Sequence, residues 1–298
     1  MPHAQFEERE YEGPLYRQLE RLDARLWSPG QVLENRVGID RASFVPESLL
    51  FSIHGFDMAP TGVYLNRVST WARRMLGVPE KRALPNFALN LFLQAKRPFY
   101  GKTPPKDVRA CGVTGSFWRI TLEQEQQETL EAIDSRLAGR ALVTYAAPTF
   151  HKEKELWKHT VKQTLVENST FPGVRHLRGH GAWYYNAPGV DGVARSEPER
   201  IEGLNLSERI SAMLENSQLR EAARSPWEAT LVRLAAKVSD AVLELDSEAT
   251  FRRARFASAA QAIDSATDGL DAPWLNAYSR IMSFCIIYEM SWMCVSAP

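Results

Sequence analysis

The sequence predicts an α/β layer followed by a mainly helical C-terminal region, and three features carry that expectation. Phe87 to Lys96, FALNLFLQAK, is a short apolar run closed by Pro98, the profile of a buried strand that ends at a polar edge. Ala141 to Ala147, ALVTYAA, is a second run of the same kind. Between them, residues 121 to 138 combine acidic first turns, an apolar face of Leu122, Leu130, Ile133 and Leu137, and a stop at Gly139, which suits a helix with Thr121 as its N-cap. Strand, helix, strand in that order is the unit of an α/β layer.

The remaining elements follow from the same reasoning. From Pro14 to Leu26 the residues Leu15, Leu19, Leu22 and Leu26 recur at the spacing of one helical face, and Ser28-Pro29-Gly30 ends the segment. After a turn at Val32-Leu33-Glu34, the runs Val37 to Val45 and Leu49 to Phe56 are rich in strand formers and are split by Pro46-Glu47-Ser48, as in a hairpin. Residues 57 to 86, punctuated by Pro60, Gly62, Gly77, Pro79 and Pro85, read as an insertion with one helix near Val68 to Met75. A polar helix is expected from 152 to 167. The Gly- and His-rich stretch after Phe171 reads as loop, and four helical patterns follow at 206–223, 226–245, 248–267 and 273–295, as a bundle or as a cover on the sheet. The expected division is therefore a core over 1–170, a linker over 171–205 and a helical region over 206–298.

Composition narrows the function classes. At 298 residues the chain has the length of about two domains, and 44 % hydrophobic with 24 % charged residues excludes a collagenous, coiled-coil or mainly disordered protein. Lys+Arg and Asp+Glu both number 36, so affinity for a polyanion must come from a local patch. Such a patch exists: between Arg67 and Arg119 eleven basic residues face two acidic ones, with Trp71, Phe99, Tyr100, Phe117 and Trp118 interleaved. That mixture suits tracking a phosphate backbone and stacking on bases. Cys111, Cys285 and Cys294 form neither a disulfide framework nor a C-x-x-C site, and the polar, acidic N-terminus lacks the layout of an export signal. The longest apolar stretch, 281–295, is short of the roughly 20 residues of a membrane span. A cytoplasmic protein without a membrane partner is expected.

The chemistry is expected at the end of the first apolar strand. Alternation puts Gln94 and Lys96 on one face and Leu91, Leu93 and Ala95 on the other, so a carboxamide and an ammonium emerge side by side. An oxygen donor with the next carbonyl can bind a hard cation while the lysine orients a water. Upstream, Glu34 and Asp40 offer carboxylates at the start of the first hairpin. Asp57, nearer to Gln94 along the chain, competes for the metal-binding role. Asp40 is preferred because Glu34 precedes it and it falls within a strand-like segment. His176 and His180 bracket Gly179, which argues against a helix aligning them on a metal, and no Gly-rich phosphate loop is present.

Taken together, Glu34, Asp40 and Gln94-Ala95-Lys96, followed by a helix and a strand, resemble the PD-(D/E)xK, or restriction-endonuclease-like, nuclease superfamily in its Gln-x-Lys variant. The resemblance covers about residues 14 to 150. It departs from the pattern in the missing proline before Asp40 and in the 54 residues from Asp40 to Gln94, which the insertion must absorb. It implies an αβββαβ core and a Mg²⁺ or Mn²⁺ ion held by Asp40, Gln94 and Glu34. It also implies Lys96 assisting the attacking water in phosphodiester hydrolysis of nucleic acid, DNA before RNA. The implied setting is restriction or phage defence. The nucleic-acid surface would comprise Arg41, Arg73, Arg74, Arg82, Arg97, Lys102 and Lys106. A catalytically weak binding module on the same fold is the alternative. The stripe Ile281, Phe284, Cys285, Tyr288, Trp292 is expected as core or as a face for a second copy or a protein partner.

Overall fold

The computed structural model describes residues 2–23, 25–27, 86–189, 191–201, 205–216, 219, 225–245, 250–269 and 273–296. The expected hairpin at 37–56 and the insertion at 57–86, apart from its last residue, lie outside them. With them go Glu34, Asp40, Arg41, Asp57, Arg73, Arg74 and Arg82.

Helix α1 (Glu8–Leu22) begins six residues before Pro14. The Glu10 carboxylate accepts from the Glu7 backbone N–H at 2.7 Å and caps the first turn, so the helix starts there and runs through the proline. Its buried stripe is Tyr11, Leu15, Gln18 and Leu19, whereas Leu22 is exposed and Leu26 belongs to the short strand β1 (Leu26–Trp27). Strand β2 (Phe87–Ala95) is buried along its whole length. There follow β3 (Phe99–Gly101), α2 (Lys106–Ala110), β4 (Phe117–Thr121), α3 (Gln124–Arg136), β5 (Ala141–Pro148), α4 (Glu153–Lys162) and β6 (Ser169–Thr170). Next come β7 (Ala182–Tyr185), β8 (Gly192–Arg195), β9 (Glu199–Ile201), α5 (Leu206–Leu214), α6 (Trp227–Leu243), α7 (Phe251–Thr267), α8 (Pro273–Ile287) and β10 (Ser291–Ser296).

The strands form two sheets. The first has the order β1-β10-β2-β5-β6, with β2 parallel to β5 and antiparallel to β10. The second, β3-β4-β7-β8-β9, is an antiparallel meander. One face of the first sheet packs Leu89, Leu91, Leu93 and Ala95 against α1 and α5. The other packs Phe92, Val143 and Tyr145 against α3, α6 and α8, and this core continues into Ile120, Trp183 and Tyr185 of the second sheet. The C-terminal helices are thus a cover on the sheet and share its core.

Three expectations change. Residues 171–205 are not a linker: Trp183, Tyr184 and Tyr185 are strand formers that bury between neighbours on both sides, and β8 crosses them closely at Gly192. A Cβ there would fall 2.4 Å from the Trp183 ring and 2.6 Å from the Tyr184 carbonyl, so only glycine permits the approach. The last helix does not reach residue 295. It ends at Ile287, Glu289 adopts a left-handed φ of 55°, and the chain reverses into β10, which buries on both faces. An apolar run of that length suits strand and helix equally, and pairing with β2 decides the matter. The stripe from Ile281 to Trp292 is consequently interior, not a dimer face.

The third change concerns neighbours. From Asn90 to Leu93 both hydrogen-bonding edges of β2 are filled, by β10 on one side and β5 on the other. The edge of β2 opposite β5 is thus taken by β10, from a region expected to be helical. The indole Nε1 of Trp292 donates to Asn90 Oδ1 at 2.9 Å and pins the β10 register. No described helix is long and apolar enough to cross a membrane.

Candidate functional site

The site lies where β2 runs out. The Lys96 backbone N–H still donates to the Ala146 carbonyl at 2.9 Å, and Pro98, which has no N–H, ends the ladder. Lys96 therefore stands at the carboxyl end of a parallel strand pair joined through α3, the edge at which open α/β sheets form their crevices. A cavity of about 910 Å³ opens there, lined by Glu7, Glu8 and Glu12 of the N-terminal segment, by Lys96 and Arg97, and by Glu123 and Glu289.

Lys96 is half-buried, and its Nζ donates to Gln126 Oε1 at 3.0 Å. Gln126 is fully buried on α3 and passes the connection on, its Nε2 donating to the Tyr288 carbonyl at 2.6 Å. Burial lowers the Lys96 pKa below the usual lysine range, while Glu8, Glu123 and Glu289 oppose that shift and Arg252 adds to it. Glu123 is held below the ordinary carboxylate range, first by its hydrogen bond from Arg252 of α7. Glu8 accepts from the Arg97 backbone N–H at 2.9 Å, and Glu12 from Ser291 at 2.9 Å, so α1 is tied to both β2 and β10. The arrangement is a partly desolvated ammonium in an acidic frame. It can donate to an incoming anion or, when neutral, accept a proton.

Gln94 takes its expected face with Phe92, opposite Leu91, Leu93 and Ala95, but its carboxamide does not emerge beside the Lys96 amine and is not part of the cavity lining. It is fully buried, and neither its Oε1 nor its Nε2 has a hydrogen-bond partner among the described residues. Such an orphan is uncommon in a native core, and Gln18 Nε2, Trp118 Nε1 and Ser279 Oγ share it among the described residues. Among the described residues no group of three or more His, Cys, Asp or Glu gathers as for a metal ion.

The expected nucleic-acid residues divide. Lys102 and Lys106 are exposed. Arg97 is spent within the chain, its guanidinium donating to the Ala4 carbonyl at 2.9 and 2.6 Å and to Glu7 at 2.8 Å. The aromatics are also used internally. Phe117 is buried, Tyr100 stacks on His151 at 3.9 Å, Phe99 lies under Arg119 at 4.6 Å, and Trp118 stacks on Tyr185 at 6.0 Å.

Sequence reasoning missed Gln126, Glu8, Glu123 and Glu289. For Gln126 a signal existed: with Leu130, Ile133 and Leu137 it completes the i, i+4, i+7, i+11 stripe of α3, so a polar residue occupied the buried face. Glu8 sits in a turn ahead of the expected helix, and nothing in the sequence tied it to residue 97.

No family model matches the sequence, no curated protein matches it, and no solved structure matches its fold.

Proposed function

We propose that this chain is a Mg²⁺-dependent nuclease of the Gln-x-Lys kind that hydrolyses phosphodiester bonds in nucleic acid, DNA before RNA. The observation that carries the reading is Lys96, half-buried at the carboxyl end of β2, with a depressed pKa and an acid-lined cavity before it. A lysine so placed suits orienting a water and stabilising charge on a scissile phosphate. The orphaned carboxamide of Gln94 fits a neutral oxygen ligand for a hard cation, and magnesium tolerates few protein ligands. Asp40 and Glu34 are the charged ligands this reading needs, with Asp57 in competition with Asp40. When bound, the ion would supply charge stabilisation at the phosphate. Exposed Lys102 and Lys106, beyond β3, suit contacts to the backbone of the substrate.

One observation favours a second reading, a binding module that does not cut: the Lys96 amine is already engaged by the neutral Gln126, and Gln94 stands where an acid would hold the ion more tightly. The test is incubation with supercoiled plasmid, single-stranded DNA and RNA in Mg²⁺, Mn²⁺ or EDTA. Cleavage that needs the metal and falls at least about 100-fold in both Lys96→Ala and Asp40→Ala is the expected result. Cleavage lost in Asp57→Ala but kept in Asp40→Ala reassigns the aspartate. Binding without cleavage, unchanged by EDTA, replaces the first reading by the second.

A further inference from the structure

A second cavity, of about 240 Å³, lies at the opposite end of the same strand pair, where β5 begins, with Asp134, Arg175, His176 and Arg209 among its lining. The β2–β5 register sets it apart from Lys96 by the length of the paired segment, roughly 17 Å at 3.3 Å per residue. Its floor is Arg209 of α5. The Asn205 carboxamide accepts from Glu208 N–H while the Glu208 carboxylate accepts from Asn205 N–H, both at 3.0 Å, which fixes the first turn of the helix and so the root of Arg209. The guanidinium donates to the Phe171 carbonyl at 3.0 Å and comes close to Gly173, where a Cβ would fall within 2.7 Å of its Nη2. On the rim stand Arg175 and His176, both exposed.

The charge does not close. Asp134, only 7 % exposed, is the carboxylate that acts on both guanidiniums, and it is already ion-paired with Arg175 through Nε. Burial lowers the Arg209 pKa below the usual arginine range, and Asp134 alone opposes that shift. Among the described residues two guanidiniums share one carboxylate, and a half-buried cation is left with a carbonyl and a shared partner where it would normally have its own counter-charge. His176, at the rim, would gain charge from an anion seated there.

We propose that this cavity binds a phosphate group, held by Arg209 and Arg175 with His176 at its mouth. At about 30 Å³ per water the space takes an oxyanion with a few waters, and it falls below the roughly 300 Å³ at which pockets for whole small molecules begin. The site therefore takes the phosphate and leaves whatever carries it outside. That carrier is either nothing, as in free phosphate, or the terminal phosphate of a nucleic-acid strand. The proposal stands on its own residues, independent of any reading of Lys96.

The test is thermal unfolding and calorimetric titration with inorganic phosphate against chloride at equal ionic strength. The full chain should gain Tm with phosphate only, and His176→Ala, which touches no ion pair, should weaken binding several-fold. Arg175→Ala and Arg209→Gln should lose it at least tenfold. If Arg209→Gln fails to fold, the two rim variants decide. Competition by an oligonucleotide with a 5′-phosphate but not by the same strand with a 5′-hydroxyl assigns the strand end, and phosphate binding without that competition assigns the free ion. Equal stabilisation by phosphate and chloride, or undiminished binding in the rim variants, overturns the proposal.

Discussion

The two sheets differ in how far they expose their polar side chains. Every residue of β2 and β5 is buried, whereas β4 and β9 of the second sheet leave Thr121, Glu199 and Arg200 in water. An exposed polar group on the second sheet has solvent as a fallback, but one on β2 or β5, like the buried Trp118 Nε1 and Arg119 Nε of β4, must find a protein partner or cost stability. On β2 and β5 every polar side chain but one does, Tyr145 by donating its hydroxyl to Gln127 at 2.6 Å. Asn90 accepts from the Trp292 indole and donates to the Arg140 carbonyl at 3.2 Å, and the Thr144 hydroxyl donates to the Pro172 carbonyl at 2.7 Å. Gln94 does not. Among the described residues of β2 and β5 the contrast separates the polar side chains that hold the fold from Gln94, and that is why Gln94 is read as a ligand donor.

The sharpest way to break this contrast is to substitute both amides. Asn90→Leu leaves the Trp292 indole N–H buried and unpaired and should cost about 1–3 kcal/mol in urea unfolding. Gln94→Met, similar in volume and apolar, should stabilise by roughly 1 kcal/mol, because it removes an unpaired carboxamide from the core. The same variant should lose any rise in Tm that Mg²⁺ gives the unaltered chain, since a ligand that binds only the folded state stabilises it. If Gln94→Met destabilises as much as Asn90→Leu, or keeps the full magnesium response, Gln94 belongs with the structural amides and the metal reading loses its neutral ligand.

What could be read in advance followed the same division. The runs at 87–96 and 141–147 became β2 and β5 within two residues, because strands buried on both faces appear as continuous apolar text. The second sheet is hard to read because its strands are short: Phe117–Thr121 reads as mixed, and Ala182–Tyr185 is hidden among glycines that serve its turns. Strand β10 reads as helix from sequence because its partner is 200 residues away, and only that pairing distinguishes the two. At the site, the shared face of Gln94 and Lys96 follows from period-two geometry, which any strand obeys. Their partners did not, because Glu8, Gln126 and Glu289 reach Lys96 from three different elements and no local pattern encodes that meeting.

Lys96 supplies the finest test, since it stands where the dry sheet meets the cavity. Its folded pKa lies below the unfolded value, chiefly through burial. Below the folded pKa both states carry the charge, and the folded state bears the full desolvation penalty. As pH rises towards the ordinary lysine value near 10.4 that penalty fades, because the unfolded chain then binds more protons than the folded one. Lys96→Met never carries it. The stability of the unaltered chain minus that of Lys96→Met should therefore shift in favour of lysine between pH 7 and 10, a small effect in which the buried tyrosines cancel because both proteins share them. A difference that stays flat would mean that the amine is as well solvated as one on the second sheet, and Lys96 would then have no more claim to chemistry than Lys102.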